Sequence, residues 1–557
     1  VTDAAQRTWR KRAWLVLAWL VLATLVCNGL RDLIQPDEGR YAEIPRQMLA
    51  RSDWVVPHLN GLPYVEKPPL QYWATALAYS VLGDHGWVSR LWTLLLGIAG
   101  VVAVYGAGRR LFGTTAAAGS ALILMSAPLY LLVGQINLLD MGLTFFLTAA
   151  LLCFVLAQRD EADALQRRRW MLLCWTAVGL GFLQKGLTAF AVPGIALLVY
   201  SGLRRDLALL GRLHLAGGIA VLAVLVLPWT VLLGLRDARF AEFFLIHEHF
   251  TRFLTNEHQR VQPFWYFGMV LVAGCLPWTV LMLRQAGMAL RSSIRVGTPG
   301  AVRFDVPLAL AVWAVTVVVF FSLSGSKLVP YIMPAVPPLA LLAGRALAQR
   351  DAQGATGLGS VLPLALLLGV VMLIAQPVVL AVAKGGSLLP VYRAVGPVLT
   401  TGGLLVLAGT GFAWWMLRRG TGVLAAVLGL AVSLHLACLV LVTGGNSLAA
   451  LRGAPGAAVQ LQERLQPETP FYCVGTYLHV LAFDLRRDCI LVEYTGELQV
   501  QFASGVPLSL SEFAARWSAA SDAVALVDAS FLPRMRAAQL PYKVLVEYRD
   551  HSIVVHP

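Results

Sequence analysis

Asp37 and Arg40 stand three residues apart in the segment after Pro36. If that segment is helical, Asp37, Arg40, Tyr41 and, one turn on, Ile44 share a face, so a carboxylate and a guanidinium point the same way. Pro45 is expected to kink that helix or end it early. The surrounding residues, 31–87, are the most polar stretch of the first half of the chain and also hold Asp32, Glu38, Glu43, Arg46, His58, Tyr64, Glu66 and Lys67. Carboxylates beside cations and phenols can orient an acceptor or stabilise charge that develops at a transferred group. The competing reading is a solvated loop with ordinary surface ion pairs.

Three further places collect polar groups at the ends of apolar runs. Asp140 lies at the edge of one run and Lys185 at the junction of two others. Ionisable residues at such positions usually pair or line a pathway, so an Asp140–Lys185 ion pair is expected, either functional or merely joining two helices. Residues 235–263 carry His247, Glu248, His249, Arg252, His258 and Arg260 among phenylalanines spaced as on an interfacial amphipathic helix. His247 and His249, two residues apart, do not share a helical face, which favours phosphate contacts by Arg252 and His247 over a metal pair. A third connection, residues 324–331, brings Lys327 and Tyr331, where Lys327 either joins the site or snorkels to the interface. Cations at several such places, with at least two carboxylates, suit a pocket at one membrane face that holds a lipid phosphate and does chemistry beside it.

The elements that must position these groups are membrane helices. The chain has 557 residues, 58% hydrophobic and 13% charged, with a mean hydropathy of +0.69. Soluble domains are about 45–50% apolar and about 25% charged, so a soluble globular enzyme is excluded. The runs do not alternate as lipid-facing strands would, so a β-barrel is excluded too. Apolar runs fall at roughly 13–30, 88–107, 115–133, 139–157, 170–186, 187–203, 213–234, 264–283, 305–323, 329–346, 359–383, 395–417 and 421–443, which makes about thirteen spans of an all-α polytopic membrane protein. Residues 68–82 are shorter and carry Gln71, Tyr72 and Tyr79, and are read as an interfacial helix.

The net charge of +14 gathers in short clusters between runs, which reads as topology and not as nucleic-acid binding. Arg109/Arg110, Arg167 to Arg169, Arg204/Arg205, Arg284/Arg291, Arg345/Arg350 and Arg418/Arg419 occupy every second connection, with Lys384 and Arg393 as exceptions. With a cytoplasmic N-terminus, the polar sites and the C-terminal segment then lie outside. That segment, 444–557, holds β-rich stretches at 471–480, 489–494, 523–527 and 542–548 and is expected to be a soluble α/β domain following a membrane domain of residues 1–443. Cys473 and Cys489 are the two cysteines in a polar region, where a disulfide is one option.

AspGluGlyArgTyrAlaGluIleProArg (37–46) and AsnGlyLeuProTyrValGluLysProProLeuGlnTyrTrp (60–73), with AsnLeuLeuAspMet (137–141), LeuGlnLysGlyLeu (183–187) and HisGluHisPheThrArgPhe (247–253), resemble the lipid A aminoarabinose transferases. These are integral membrane glycosyltransferases of the GT-C type, and the resemblance is least specific over the C-terminal domain. It implies transfer of 4-amino-4-deoxy-L-arabinose from undecaprenyl phosphate to a phosphate of lipid A, at the periplasmic side of the bacterial inner membrane, with resistance to polymyxin as the consequence.

On that resemblance Asp37 sits at the catalytic centre with Asp140 beside the sugar or acceptor. Arg40, Tyr64, Lys67, Lys185, His247, Arg252, Lys327 and Tyr331 bind substrate. Asp37 with Glu66 is the candidate pair for a divalent metal, and no nucleotide or organic cofactor is implied. The expected partners are the two lipid substrates and the membrane; the sequence does not set the oligomeric state, and a monomer is compatible with it. Two rivals stand beside this reading. A protein O-glycosyltransferase would need Asp37 as a true base for a hydroxyl acceptor. A flippase or transporter would place its polar residues at midplane, whereas here they gather at one face.

Overall fold

The structure, a computed structural model, describes residues 3–244, 262–294, 304–352, 357–382, 389–420, 422–446, 456–498, 507–548 and 550–557. The chain forms two compact units, one of residues 1–30 with 90–444 and the other of residues 31–89 with 445–557. Residues 31–89, assigned by composition to the membrane domain, therefore cluster with the C-terminal segment.

The first unit is helical. Seven helices among the described residues are long and apolar enough to cross a membrane: Leu91–Phe112, Leu139–Gln158, Leu215–Arg236, Val329–Asp351, Val361–Val378, Arg393–Arg418 and Val423–Thr443. The pair Thr114–Ser126 and Pro128–Gly134 makes an eighth, bent by 60°. Pro128 has no N–H to continue the ladder, which accounts for the break within a run that reads as one span in the sequence. The run at 264–283 likewise divides, into Tyr266–Gly274 and Thr279–Ile294, on either side of Pro277. Where the first break frees backbone groups, side chains close in. His435 Nδ1 lies 3.0 Å from the Met125 carbonyl, and Trp278 Nε1 donates to Ser126 Oγ at 3.1 Å.

The second unit is built partly from residues 31–89, which supply the helix Asp37–Arg51, the hairpin β1–β2 (His58–Leu59 and Leu62–Pro63) and the helix Leu70–Leu82. Asn60 and Gly61 both take positive φ, as a two-residue hairpin requires. The C-terminal segment supplies a five-stranded mixed sheet. β3 (Phe471–Val474) runs parallel to β4 (Ile490–Val492) and β5 (Val524–Asp528), while β7 (His551–Val555) is antiparallel to β5 and β6 (Lys543–Glu547). The strand order is therefore β4-β3-β5-β7-β6. Tyr472, Val474, Phe513, Trp517, Val527 and Val554 form the core on this sheet. The Asn60 side chain exchanges hydrogen bonds with the backbone N–H and C=O of Cys489 at 2.8 and 3.0 Å.

Cys473 and Cys489 are joined, so the disulfide left open by the sequence ties β3 to the start of β4. Closing a loop of 16 residues' separation is worth about 3 kcal/mol in the chain-entropy account. Replacing both cysteines by serine should therefore make the segment 456–557 of the intact protein more sensitive to limited proteolysis. Unchanged protease resistance would mean that the sheet and its core hold this region without the bridge.

Candidate functional site

The helix Asp37–Arg51 begins directly after Pro36, with Asp37 and Glu38 in its first turn, where the helix dipole favours negative charge. It does not end early. Pro45 sits inside it; Arg31 binds Glu38 in the first turn through two hydrogen bonds of 2.6 and 2.8 Å, and Arg46 binds Glu43 across Pro45 at 2.7 and 2.5 Å. Gln47 adds bonds to Glu43 and Asp488. Gly39 faces the N-terminus of the helix His479–Leu485 so closely that a Cβ there would lie 2.6 Å from the Val480 nitrogen. That contact is one reason for the glycine in the sequence Asp-Glu-Gly-Arg.

Against this fixed helix, the two acidic residues of its first turn differ sharply. Glu38 is fully buried and spent on Arg31 and the Ile34 N–H, whereas the Asp37 side chain is 45% exposed. Asp37 Oδ1 lies 3.5 Å from Nη1 of Arg40, so the predicted common face exists. Arg40 is buried, and its Nη2 reaches Glu497 at 2.6 and 2.5 Å. Its Nε finds no acceptor among the described residues, which leaves a buried donor available. His479 Nε2 stands 3.0 Å from Glu497 Oε1. Burial alone would raise the Glu497 carboxyl, but His479 and Arg40 outweigh it and hold it at about 2. Burial also lowers His479 below the usual imidazole range, against the pull of Glu497.

Tyr64 is buried, and its hydroxyl donates to Glu66 at 3.0 Å. Burial, first of all, and then the Glu66 charge push that phenol well above its ordinary value, so it stays a donor. Lys67 Nζ lies 3.9 Å from the Glu66 carboxylate and donates to the Glu66 carbonyl at 3.1 Å. Among the described residues no three His, Cys, Asp or Glu side chains gather as metal ligands. Asp37 faces Arg40, and Glu66 faces Tyr64 and Lys67, so each of these two carboxylates stands beside hydrogen-bond donors.

The second cluster lies in the helical unit. Asp140 is the second residue of the helix Leu139–Gln158, and Lys185 is the last of Ala164–Lys185, so each charge sits at the helix end that favours it. Their ion pair forms, at 2.5 Å, with little exposure of either side chain. The Lys185 ammonium also lies 4.6 Å from the centre of the Tyr331 ring. Gln184 donates to the Leu139 carbonyl at 3.3 Å and accepts from Trp92 at 3.2 Å, holding the end that carries Lys185 beside the start that carries Asp140. A Cβ on Gly142 would meet the Gln184 amide at 2.3 Å, so glycine permits this approach. Lys327 is buried and donates to the Ser324 carbonyl at 2.7 Å, just before the 3₁₀ turn Val329–Ala335 that presents Tyr331. His247 and Arg252 lie outside the described residues.

Two family models match the chain: dolichyl-phosphate-mannose-protein mannosyltransferase over residues 66–231 and the aminoarabinose transferase C-terminal domain over residues 457–556. The chain is 38% identical over 327 residues to the undecaprenyl phosphate-alpha-4-amino-4-deoxy-L-arabinose arabinosyl transferase of Pseudomonas aeruginosa strain LESB58, and 35% identical over 316 residues to that of Yersinia enterocolitica. These alignments take in 57% and 56% of this chain and 56% and 55% of the relatives, so the match spans about half the length of each. The solved structure of ArnT from Cupriavidus metallidurans bound to undecaprenyl phosphate superposes with a TM-score of 0.89 at 33% identity, over 97% of both chains. The chain belongs to the ArnT family. An archaeal oligosaccharyltransferase from Archaeoglobus fulgidus, with a TM-score of 0.51 at 15% identity over 95% of this chain and 71% of its own, shares the fold alone.

Within this ArnT-family framework the structure brings Asp37 and Arg40 together, Tyr64 with Glu66 and Lys67, and Asp140 with Lys185 and Tyr331. The sequence reading missed Glu497 and His479. Glu497 lies 457 residues from Arg40 along the chain in an ordinary polar stretch, and no local pattern marks it. Gln184 was within reach, because a glutamine next to Lys185 in an apolar run must find a partner.

Proposed function

We propose that this protein transfers 4-amino-4-deoxy-L-arabinose from undecaprenyl phosphate to a phosphate group of lipid A, and so reduces the anionic charge that polymyxin and other cationic peptides bind. The observation that carries the proposal is the likeness, along 97% of both chains, to an ArnT structure bound to undecaprenyl phosphate. A half-exposed Asp37 beside the buried Arg40 supplies matching chemistry. In the reaction an acceptor phosphate oxygen attacks the anomeric carbon. The bond from that carbon to the carrier oxygen breaks, and its electron pair leaves with undecaprenyl phosphate. A phosphate with a second pKa of about 6 is already largely anionic at neutral pH, so Asp37 need not remove a proton. Its role is to orient the acceptor and stabilise positive charge growing on the sugar.

The departing phosphate gains charge that cations must balance, and Lys67, Arg252 and Lys327 are assigned to it, with His247 and Tyr331 as further donors. The spare Nε of Arg40 offers one more. Asp140 with Lys185 shapes the sugar or acceptor side. No step runs through a metal. Turnover lost on chelation and restored by a divalent ion would add one, held by Asp37 and Glu66 with ligands from outside the described residues.

The proposal includes thirteen membrane crossings in the bacterial inner membrane, a cytoplasmic N-terminus, and residues 31–89 and 444–557 in the periplasm. Basic clusters on alternate connections support this orientation. So does the Cys473–Cys489 disulfide, which belongs to an oxidising compartment.

Reconstitution of the purified protein with lipid A and undecaprenyl phosphate-aminoarabinose, read by mass spectrometry, tests the reaction. The expected result is a gain of one aminopentose on lipid A. A labelled glycoprotein with unmodified lipid A would replace this reading with protein O-glycosylation.

A further inference from the structure

We infer that Glu497 is a positioning residue that holds the Arg40 guanidinium away from Asp37, keeping the Asp37 carboxylate open to substrate. The inference rests on the proposed reaction centre at Asp37, and it gives the C-terminal segment a part in the chemistry.

Arg40 lies between two carboxylates and divides unequally. Both Glu497 oxygens sit within 2.6 Å of Nη2, while Asp37 is reached only by Nη1, at 3.5 Å. Asp37 and Arg40 are three residues apart on one helix, a spacing at which an acid and a base pair readily. With no competitor, a buried guanidinium beside one carboxylate would close on it, since an unpaired buried charge is costly. Glu497 removes that drive. It is better placed to win, because it gives both oxygens to Nη2 and its side chain is 32% exposed against 45% for Asp37, so its attraction is less screened by water. His479 Nε2 lies 3.0 Å from Glu497 Oε1, an oxygen that Arg40 also reaches, and so adds a second neighbour that holds the carboxylate in place. The result is a chain, His479 to Glu497 to Arg40, that ends on an Asp37 still able to offer oxygens outward.

A purely structural Glu497 would only neutralise Arg40, and two measurements separate the ideas. The first needs no turnover: amidation of Asp37 in the intact folded protein by a carbodiimide and an amine, quantified by peptide mass spectrometry. In Glu497→Gln the guanidinium turns to Asp37, and labelling there should fall at least threefold relative to the wild type. The second is turnover in the reconstituted system. Glu497→Gln should lose at least tenfold in kcat with KM for both lipids within twofold, Glu497→Asp should recover most of the loss, and adding Glu497→Gln to Arg40→Gln should cost nothing more. Unchanged Asp37 labelling in folded Glu497→Gln protein overturns the inference, as do losses that simply add to those of Arg40→Gln. A wild type that makes no product would defeat the proposed reaction alone, because the labelling result still decides the role of Glu497.

Discussion

Asp37→Asn should lower kcat by roughly a hundred- to ten-thousandfold, the range expected when a positioned carboxylate is lost from a reaction centre, while the protein stays folded. The second half of that expectation comes from the geometry. The Asp37 side chain is 45% exposed and touches Arg40 at 3.5 Å, a contact that contributes at most about 1 kcal/mol, as exposed ion pairs do. Asparagine fits the same first turn, and Arg40 keeps Glu497 as its partner. The neighbouring position gives the contrast. Glu38 is buried in a two-bond contact with Arg31, so Glu38→Gln leaves a buried guanidinium poorly paired and is a folding variant before it is a catalytic one. Turnover by reconstitution, with the folded fraction measured on the same sample, checks both statements. Wild-type turnover in folded Asp37→Asn protein would remove Asp37 from the centre.

What the sequence disclosed followed from how local each feature is. Apolar runs placed helices such as Leu139–Gln158 and Val423–Thr443 to within a few residues, because burial or lipid exposure of a run is written in its composition. The same argument cannot see Ala127, where one run bends by 60°, since the break depends on one missing N–H and on the side chain of His435 that lies against the Met125 carbonyl. Pro45 shows the opposite error. A proline reads as a helix end, but here the Arg46–Glu43 pair spans Pro45 and Gln47 binds Asp488 beyond it, and the helix runs on to Arg51. β7, the strand His551–Val555, was passed over because a short apolar run at a chain end has no flanking alternation, yet it is fully buried between β5 and β6. In the candidate site the residues found were those paired at helical spacing, as Asp37 and Arg40, or those costly enough in an apolar run to demand a partner, as Asp140 and Lys185. Glu497 met neither condition. Its place beside Arg40 comes from the topology of the second unit, which joins residues 31–89 to residues 445–557.

The Asp140–Lys185 pair decides whether its cluster is chemistry or carpentry. Removing one partner of a buried ion pair costs about 3–5 kcal/mol, somewhat less here because both side chains keep a little solvent and Lys185 also rests on the Tyr331 ring. Asp140→Asn is therefore expected to lose activity and some stability together, which on its own does not separate the two roles. The double change Asp140→Leu with Lys185→Met does, because replacing both charges by apolar side chains of similar size is often neutral or stabilising. Gln184 still ties the two helices through the Leu139 carbonyl and Trp92 in that variant. It should unfold at or above the wild-type temperature and yet turn over at least a hundredfold more slowly, since a preorganised cation or carboxylate at a reacting phosphate or sugar contributes about that much. Exchanging the charges, Asp140→Lys with Lys185→Asp, restores an ion pair but sets a cation at a helix N-terminus and takes the ammonium from Tyr331, so it too should be inactive. Wild-type turnover in the folded, doubly apolar variant would reduce the pair to a joint between two helices, and the substrate contacts assigned to it would pass to Lys327 and Tyr331.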